Sequence, residues 1–185
     1  FPVCGEKLKS FSKASVSGIS GVINIFGIES GLVIVANNTW AALKTRKQIE
    51  IKWDEGEAAG LDDETIRKQL LDASKEKGSV VRKEGNVKKA LQSSDKIIEA
   101  IYESPLQAHA TMEPMNCTAY VQKDKCQVWA GTQDPNGARK IASKITGLSK
   151  KQVEVNVTFL GGGFGRRAFN DFVTEAVEIS NEIKK

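Results

Sequence analysis

The chain has 185 residues, 40% of them hydrophobic, with a mean hydropathy of −0.31 and a net charge of +4 from 27 basic and 23 acidic side chains. That is enough for one domain or two small ones, with the composition of a globular protein, and no run nears the roughly 20 apolar residues of a membrane-spanning helix. The charges are mixed along the chain and aromatics make up only 6% of it, so neither the basic face nor the stacking aromatics of a nucleic-acid platform is present.

Cys4, Cys117 and Cys126 form no C-x-x-C pair, and the one histidine is His109. A zinc site would be short of ligands, and a disulfide framework is not expected. Cysteine usage leaves the compartment open, cytoplasmic or periplasmic. The chain opens on Phe1-Pro2-Val3 without a charged and apolar leader behind it, and it stops at Asn181-Glu182-Ile183-Lys184-Lys185 inside a helical pattern. Both ends are expected to be cuts from a longer polypeptide.

In chain order, Val22 to Phe26 reads as a short strand, and Leu32-Val33-Ile34-Val35-Ala36 as a strand buried on both faces. Asn38 or Thr39 caps a helix from Trp40 to Lys47. Ile49, Ile51 and Trp53 then alternate with charged residues, as in a strand with one buried face. Residues 55–61 read as a linker. Asp62 or Asp63 caps a helix to about Glu76, and Asn86 a short one to Gln92. Ile97 to Tyr102 is read as a strand.

Cys117, Ala119 and Val121 alternate with polar neighbours, as do Cys126, Val128 and Ala130. A two-residue turn at Lys123-Asp124 would pair 121 with 126, 119 with 128 and 117 with 130 on one apolar face. Both cysteines then become core filler, unbridged. Asp134-Pro135 starts a helix that Gly147 ends. Val153, Val155, Val157 and Phe159 alternate as a strand, and Phe169, Phe172, Val173, Ala176, Ser180 and Ile183 form a helical stripe.

Between that last strand and helix runs Phe159-Leu160-Gly161-Gly162-Gly163-Phe164-Gly165-Arg166-Arg167. Four glycines in five positions let main-chain N–H groups approach a ligand closely, and a helix N-terminus behind them would favour negative charge. Guanidinium groups suit oxyanions. Read blandly, the same run only packs a helix tightly on a sheet. No G-K-[ST] follows, so it is not a P-loop. Gly163 to Ala168 fits G-x-G-x-x-[GA], a weak pattern whose acidic partner would lie past the end of the chain.

Five blocks in one order carry a resemblance. They are Asn38 to Arg46, Ile51-Lys52-Trp53-Asp54, His109-Ala110-Thr111-Met112-Glu113-Pro114-Met115-Asn116-Cys117, Val128-Trp129-Ala130-Gly131-Thr132-Gln133-Asp134-Pro135, and Leu160 to Arg167. Together the chain resembles the molybdenum hydroxylases, the xanthine dehydrogenase and aldehyde oxidoreductase family, with the nearest likeness to beta subunits of the isoquinoline 1-oxidoreductase type. The resemblance implies an α+β fold: a truncated α/β hammerhead domain over 1–58, then the first part of a molybdenum-cofactor-binding domain over 59–185. It implies a parent enzyme that hydroxylates an N-heterocycle or oxidises an aldehyde with water as oxygen source. Its molybdopterin would be the cytosine dinucleotide form, and its iron–sulfur clusters would sit on a separate small subunit. The family's catalytic glutamate lies outside this segment, so the isolated chain is expected to be inactive and to hold no cofactor of its own.

The residues that carry over are Gln133, matching a glutamine that donates to an oxygen ligand of molybdenum, and Gly162, Gly163, Phe164 and Gly165, matching the loop beside the metal. Phe164 would wall the substrate pocket or pack in the core. Arg166 and Arg167 would neutralise the cofactor or be solvated. On the sequence alone Gln133 reads more simply as the polar residue before a helix cap, His109 as a structural histidine and Glu113 as a turn cap. Ala168 and Phe169 stand where purine-binding relatives carry a carboxylate, which disfavours a purine. The alternative reading is a self-contained nucleotide- or phosphate-binding module using the Gly161–Arg167 loop.

Overall fold

The computed structural model describes residues 6–184, so the readings at Phe1-Pro2-Val3, Cys4 and Lys185 concern residues outside the described ones. The fold mixes helix and sheet. Two compact units emerge: one takes the chain up to Ala58 together with the chain from Ala108 onward, and the other is Ala59–Gln107.

In the first unit, β1 (Lys7–Ser12) pairs antiparallel with β4 (Glu50–Asp54), and β2 (Val22–Ile28) forms a hairpin with β3 (Gly31–Ala36). Strand β1 is lysine-bearing and was not legible; its partner lies some forty residues further on. Helix α1 (Thr39–Gln48) starts at Asn38, whose side chain accepts from the Ala41 N–H at 2.8 Å. Val16, Ile25 and Ile49 are buried together, with Phe11, Ile34 and Ile51 packed on them. Within the run 32–36 Val33 is buried on one face, while Leu32 and Ile34 on the other are partly buried against the cluster of Val16, Ile25 and Ile49. Among the described residues its sheet has two strands, and α1 packs against it.

The second unit holds α2 (Asp63–Ser74), capped by Asp62, and α3 (Val87–Gln92), capped by Asn86. The expected strand at 97–102 does not form: Ile97, Ile98 and Ile101 are exposed, and no strand among the described residues pairs with them. β-branched residues favour a strand only where a neighbour completes the ladder.

The element that matters for the site is a three-stranded sheet, β5 (Cys117–Val121), β6 (Cys126–Ala130) and β7 (Val153–Val157), in that order. β5 and β6 pair as the turn predicts: Val121 with Cys126, Ala119 with Val128, Cys117 with Ala130. Cys126 is fully buried and both thiols are free. After β6 the chain crosses through α4 (Pro135–Thr146) and returns as β7, parallel to β6. Asp134 caps α4 by accepting from the Gly137 N–H at 2.9 Å, Pro135 takes the first helical position, and Gly147 ends it at φ +74°.

Helix α5 (Asp171–Ile183) lies on the same sheet, burying Phe172, Val173, Val177 and Ser180. With Val128, Ala138 and Ala142 these make the core. α5 starts two residues later than expected. A single 3-10 turn, Arg166–Ala168, stands between the glycine run and the helix, and Phe169 is exposed.

Candidate functional site

Why Gln133 and the glycine run meet follows from topology. Ala130 ends β6, Val157 ends β7, and the two are register partners on parallel strands. The segments leaving them, Gly131–Gln133 and Thr158–Gly165, therefore emerge from the same edge, the carboxyl ends where α/β sheets place their ligands. A Cβ added to Gly163 would lie 2.7 Å from Gln133 Oε1 and 2.9 Å from its Cδ. Bare main chain thus abuts a carboxamide, and any side chain at Gly163 would fill the space between them.

The loop's conformation needs glycine at two of these positions. Gly162 has φ +99° and Gly165 φ +84°, a region open to glycine but strained for other residues. Phe164 also lies there, at φ +49°, and its ring is 73% exposed rather than packed in the core. The ring covers Gly162, where an added Cβ would lie 3.1 Å from Phe164 Cε2.

Arg166 is partly exposed and ion-paired, whereas Arg167 is buried and paired inside the fold. Arg166 makes a two-pronged ion pair with Asp171, at 2.9 and 2.7 Å. Burial pushes the Asp171 carboxyl up, but hydrogen bonds from Arg166 and the Phe172 N–H outweigh it and hold it below the ordinary value. Arg167 is fully buried. Its Nε donates to the Gly162 carbonyl at 2.9 Å, one terminal nitrogen to the Gly131 carbonyl at 3.2 Å, and the other to the carbonyl and carboxylate of Glu113 at 3.0 and 2.8 Å. The phosphate-module reading thereby finds both guanidinium groups in partnership with carboxylates. The expected helix dipole is also displaced, because α5 begins at Asp171 and not at the loop.

Glu113 does more than cap a turn. Its carboxylate accepts from the Gly161 N–H at 2.7 Å and from Asn116 at 2.9 Å, while its own N–H donates to the Gly161 carbonyl at 3.1 Å. The Gly161 N–H, then Asn116 and the Arg167 charge, hold this carboxyl below its ordinary value. Thr132 and Asn170 complete the frame. The Thr132 hydroxyl lies 2.8 Å from Asn170 Oδ1 and accepts from the Asp134 N–H, while the Gln133 N–H donates to the Arg167 carbonyl at 3.0 Å. These contacts were not legible, since a carboxylate 54 positions before its arginine carries no spacing signal. His109 is exposed and not a core histidine.

The frame leaves a defined set of donors. Among the described residues, the N–H groups of Gly162, Gly163, Phe164 and Gly165 and the Gln133 carboxamide make no hydrogen bond. Successive main-chain N–H groups in a turn can form concavities for oxygen-rich groups. No trio of His, Cys, Asp or Glu gathers among the described residues, so the site offers neutral donors rather than metal-ligating side chains. A concavity of about 630 Å³ lies at the other ends of β6 and β7 between Lys125, Arg139, Lys151 and Glu154, away from this site.

Residues 72–179 match the family model for the molybdopterin cofactor-binding domain. The chain belongs to that family. It is a family of molybdenum-dependent oxidoreductases that includes the xanthine dehydrogenases. Over 183 residues it is 21% identical to a nicotinate dehydrogenase chain of Pseudomonas putida, covering 98% of this chain and 15% of the relative. It is 23% identical to the beta subunit of isoquinoline 1-oxidoreductase from Brevundimonas diminuta, covering 100% and 25%. To the xanthine dehydrogenase of Dictyostelium discoideum it is 28% identical, covering 78% and 10%. The fold is similar to that of quinoline 2-oxidoreductase from Pseudomonas putida 86, with a TM-score of 0.69 at 16% identity over 97% of this chain and 28% of that one. The chain thus spans a quarter or less of these curated relatives. No helix among the described residues is long and apolar enough to cross a membrane.

Proposed function

We propose that the chain is part of the molybdopterin-binding large subunit of an oxidoreductase that hydroxylates an N-heterocycle or oxidises an aldehyde, with water as oxygen source. The observation that carries this is the cradle of neutral donors: four consecutive main-chain N–H groups beside one carboxamide, at the carboxyl ends of two parallel strands. It suits a group rich in oxygen. Gln133 would donate through its Nε2–H₂, and Gly162, Gly163, Phe164 and Gly165 through their main-chain N–H groups. When bound, the molybdenum cofactor supplies the redox chemistry, and the protein supplies position and electrostatics. Arg166 serves the loop through Asp171 rather than by meeting the cofactor directly.

For the substrate class, the support is twofold. Relatives are named for nicotinate and isoquinoline, and one is a membrane-bound aldehyde dehydrogenase. In this chain Phe164 and Phe169 expose aromatic rings beside the loop, Ala168 is apolar, and the nearest following carboxylate, Asp171, is committed to Arg166. A purine has no acidic partner there. In this reading 1–58 is the later part of a hammerhead domain, 59–185 opens the cofactor-binding region, and the catalytic glutamate comes from elsewhere in the parent. The cofactor is the cytosine dinucleotide form, and electrons leave through iron–sulfur clusters on a small partner subunit.

The test is the metal and pterin content of the native protein that carries this chain, followed by turnover of isoquinoline and benzaldehyde with an artificial acceptor. About one molybdenum per chain and product oxygen drawn from labelled water are expected. Molybdenum-free protein from molybdenum-replete cells would overturn the assignment, and turnover by the isolated 185-residue chain would overturn the division of the site.

A further inference from the structure

We infer that Arg167, held by Glu113, is the positioning residue that keeps Gln133 and the glycine loop in register with each other. The inference rests on the proposed cofactor reading for its purpose, though its geometry stands independently. Arg167 touches both halves of the cradle. Its carbonyl accepts from the Gln133 N–H at 3.0 Å, and its Nε donates to the Gly162 carbonyl at 2.9 Å, one residue before the glycine that abuts Gln133. A terminal nitrogen reaches the Gly131 carbonyl at 3.2 Å, two residues before Gln133 on the strand exit. One side chain therefore spans both loops.

A buried guanidinium demands a counter-charge, and the Glu113 carboxylate, itself partly exposed, supplies it at 2.8 Å. The carboxylate is fixed in turn by the Gly161 N–H and Asn116. The Glu113 N–H and carboxylate bind the two sides of Gly161, so the loop is pinned at its start as well as at Gly162. The arrangement uses a fork of several donors in fixed directions. A lysine has a charge but no planar fork, so it cannot replace Arg167 at all these acceptors. Gly131 shows how tightly the span is drawn: a Cβ there would lie 3.2 Å from the Arg167 guanidinium and 3.3 Å from the Phe159 carbonyl.

The chemistry of this clamp differs from that of an anion-binding arginine. Its positive charge is spent inside the fold, and what reaches the ligand is geometry. Variants should then alter the loop before they alter the sheet. The experiment uses the native protein with Arg167→Met, Arg167→Lys and Glu113→Gln, and reads hydrogen exchange of peptides covering 159–168 against those covering 117–130 and 153–157. Molybdenum content is read in parallel.

For Arg167→Met, loop exchange is expected to rise at least tenfold while the strand peptides change less than twofold, with molybdenum occupancy down severalfold. Arg167→Lys should fail to restore the loop. Glu113→Gln, the milder change, should show the same order of effects at smaller size. Loop exchange equal to wild type in Arg167→Met would overturn the inference. So would full rescue by Arg167→Lys, or exchange rising equally across β5–β7, which marks a general loss of stability. If Arg167→Met destroys the fold, Glu113→Gln decides by the same comparison. If the wild-type protein carries no molybdenum, the cofactor reading fails while the exchange pattern still judges the clamp.

Discussion

Gly162 and Gly163 are neighbours, yet alanine should act on them through different physics. At Gly162 the main chain has φ +99°, so alanine is strained whatever room it finds, at a cost of about 1–2 kcal/mol. At Gly163 the φ is ordinary, and the obstacle is Gln133: Oε1 at 2.7 Å and Cδ at 2.9 Å from the added methyl. That side chain is exposed and carries no hydrogen bond among the described residues, so it can turn aside. Turning it off its rotamer costs about 0.5–1.5 kcal/mol, and alanine returns about 0.4–1 kcal/mol by restricting the unfolded chain. Gly163→Ala should therefore change stability by less than about 1 kcal/mol, whereas Gly162→Ala should lower Tm by about 2–8 °C at the 2–4 °C per kcal/mol usual for a domain of this size. Molybdenum content should fall in Gly163→Ala even so, because the carboxamide has been moved. Melting curves and metal analysis of both variants in the native protein measure this. The route through Gln133 is checked by a cycle: Gln133→Ala should lower occupancy as Gly163→Ala does, and the double variant should be no worse than Gln133→Ala alone. Additive losses, or a Gly163→Ala Tm falling as far as that of Gly162→Ala, would refute the reasoning.

Three further outcomes follow from individual groups. Asp134→Ala removes the N-cap of α4 and should cost about 1 kcal/mol, read by denaturant midpoint at unchanged slope. Burial pushes the Cys117 thiol up to about 11, so at pH 8 it should alkylate with iodoacetamide far more slowly than a free thiol, and buried Cys126, also shifted up by burial, should react only on unfolding. Glu178 has a buried carboxylate oxygen without a partner among the described residues; burial, then Glu29 and Glu175, raise its pKa. Since its folded value lies above its unfolded one, the charge opposes folding at neutral pH and the penalty lifts as pH falls through the folded value. Glu178→Gln should therefore raise Tm at pH 7, with the gain vanishing below about pH 4; a lower Tm at pH 7 would count against it.

What was legible in the sequence is what local rules govern. The β5–β6 register follows from the parity of a two-residue turn, and α4 from its cap, proline and terminal glycine. The meeting of Gln133 with the loop was also within reach, since hairpin, helix and strand in that order put two loops at one sheet edge. The strand expected at 97–102 failed because it has no partner among the described residues, and β1 escaped notice because its partner lies far along the chain. Arg167 was illegible for a deeper reason. Whether an arginine after a glycine run is solvated, bound to a ligand or buried depends on where a distant carboxylate falls. Sequence supplied Glu113 and Arg167 as separate charges, and only the fold made them one unit.

That unit changes what the glycine run means. Two arginines beside a bare loop read as a phosphate trap, and a trap works through net positive charge. Here the Arg166 and Arg167 charges are each matched by a carboxylate of the same chain, Asp171 and Glu113. The cradle is left close to neutral, with its selectivity vested in the direction of N–H dipoles. Neutral donors suit a group whose charge and oxidation state vary during a reaction, because they stabilise oxygen atoms without tying the site to one net charge. A cationic loop would bind the most anionic form tightest and would resist its change. The glycines, the carboxamide and the inward-facing arginine are thus parts of one solution, in which charge builds the frame and dipoles meet the ligand.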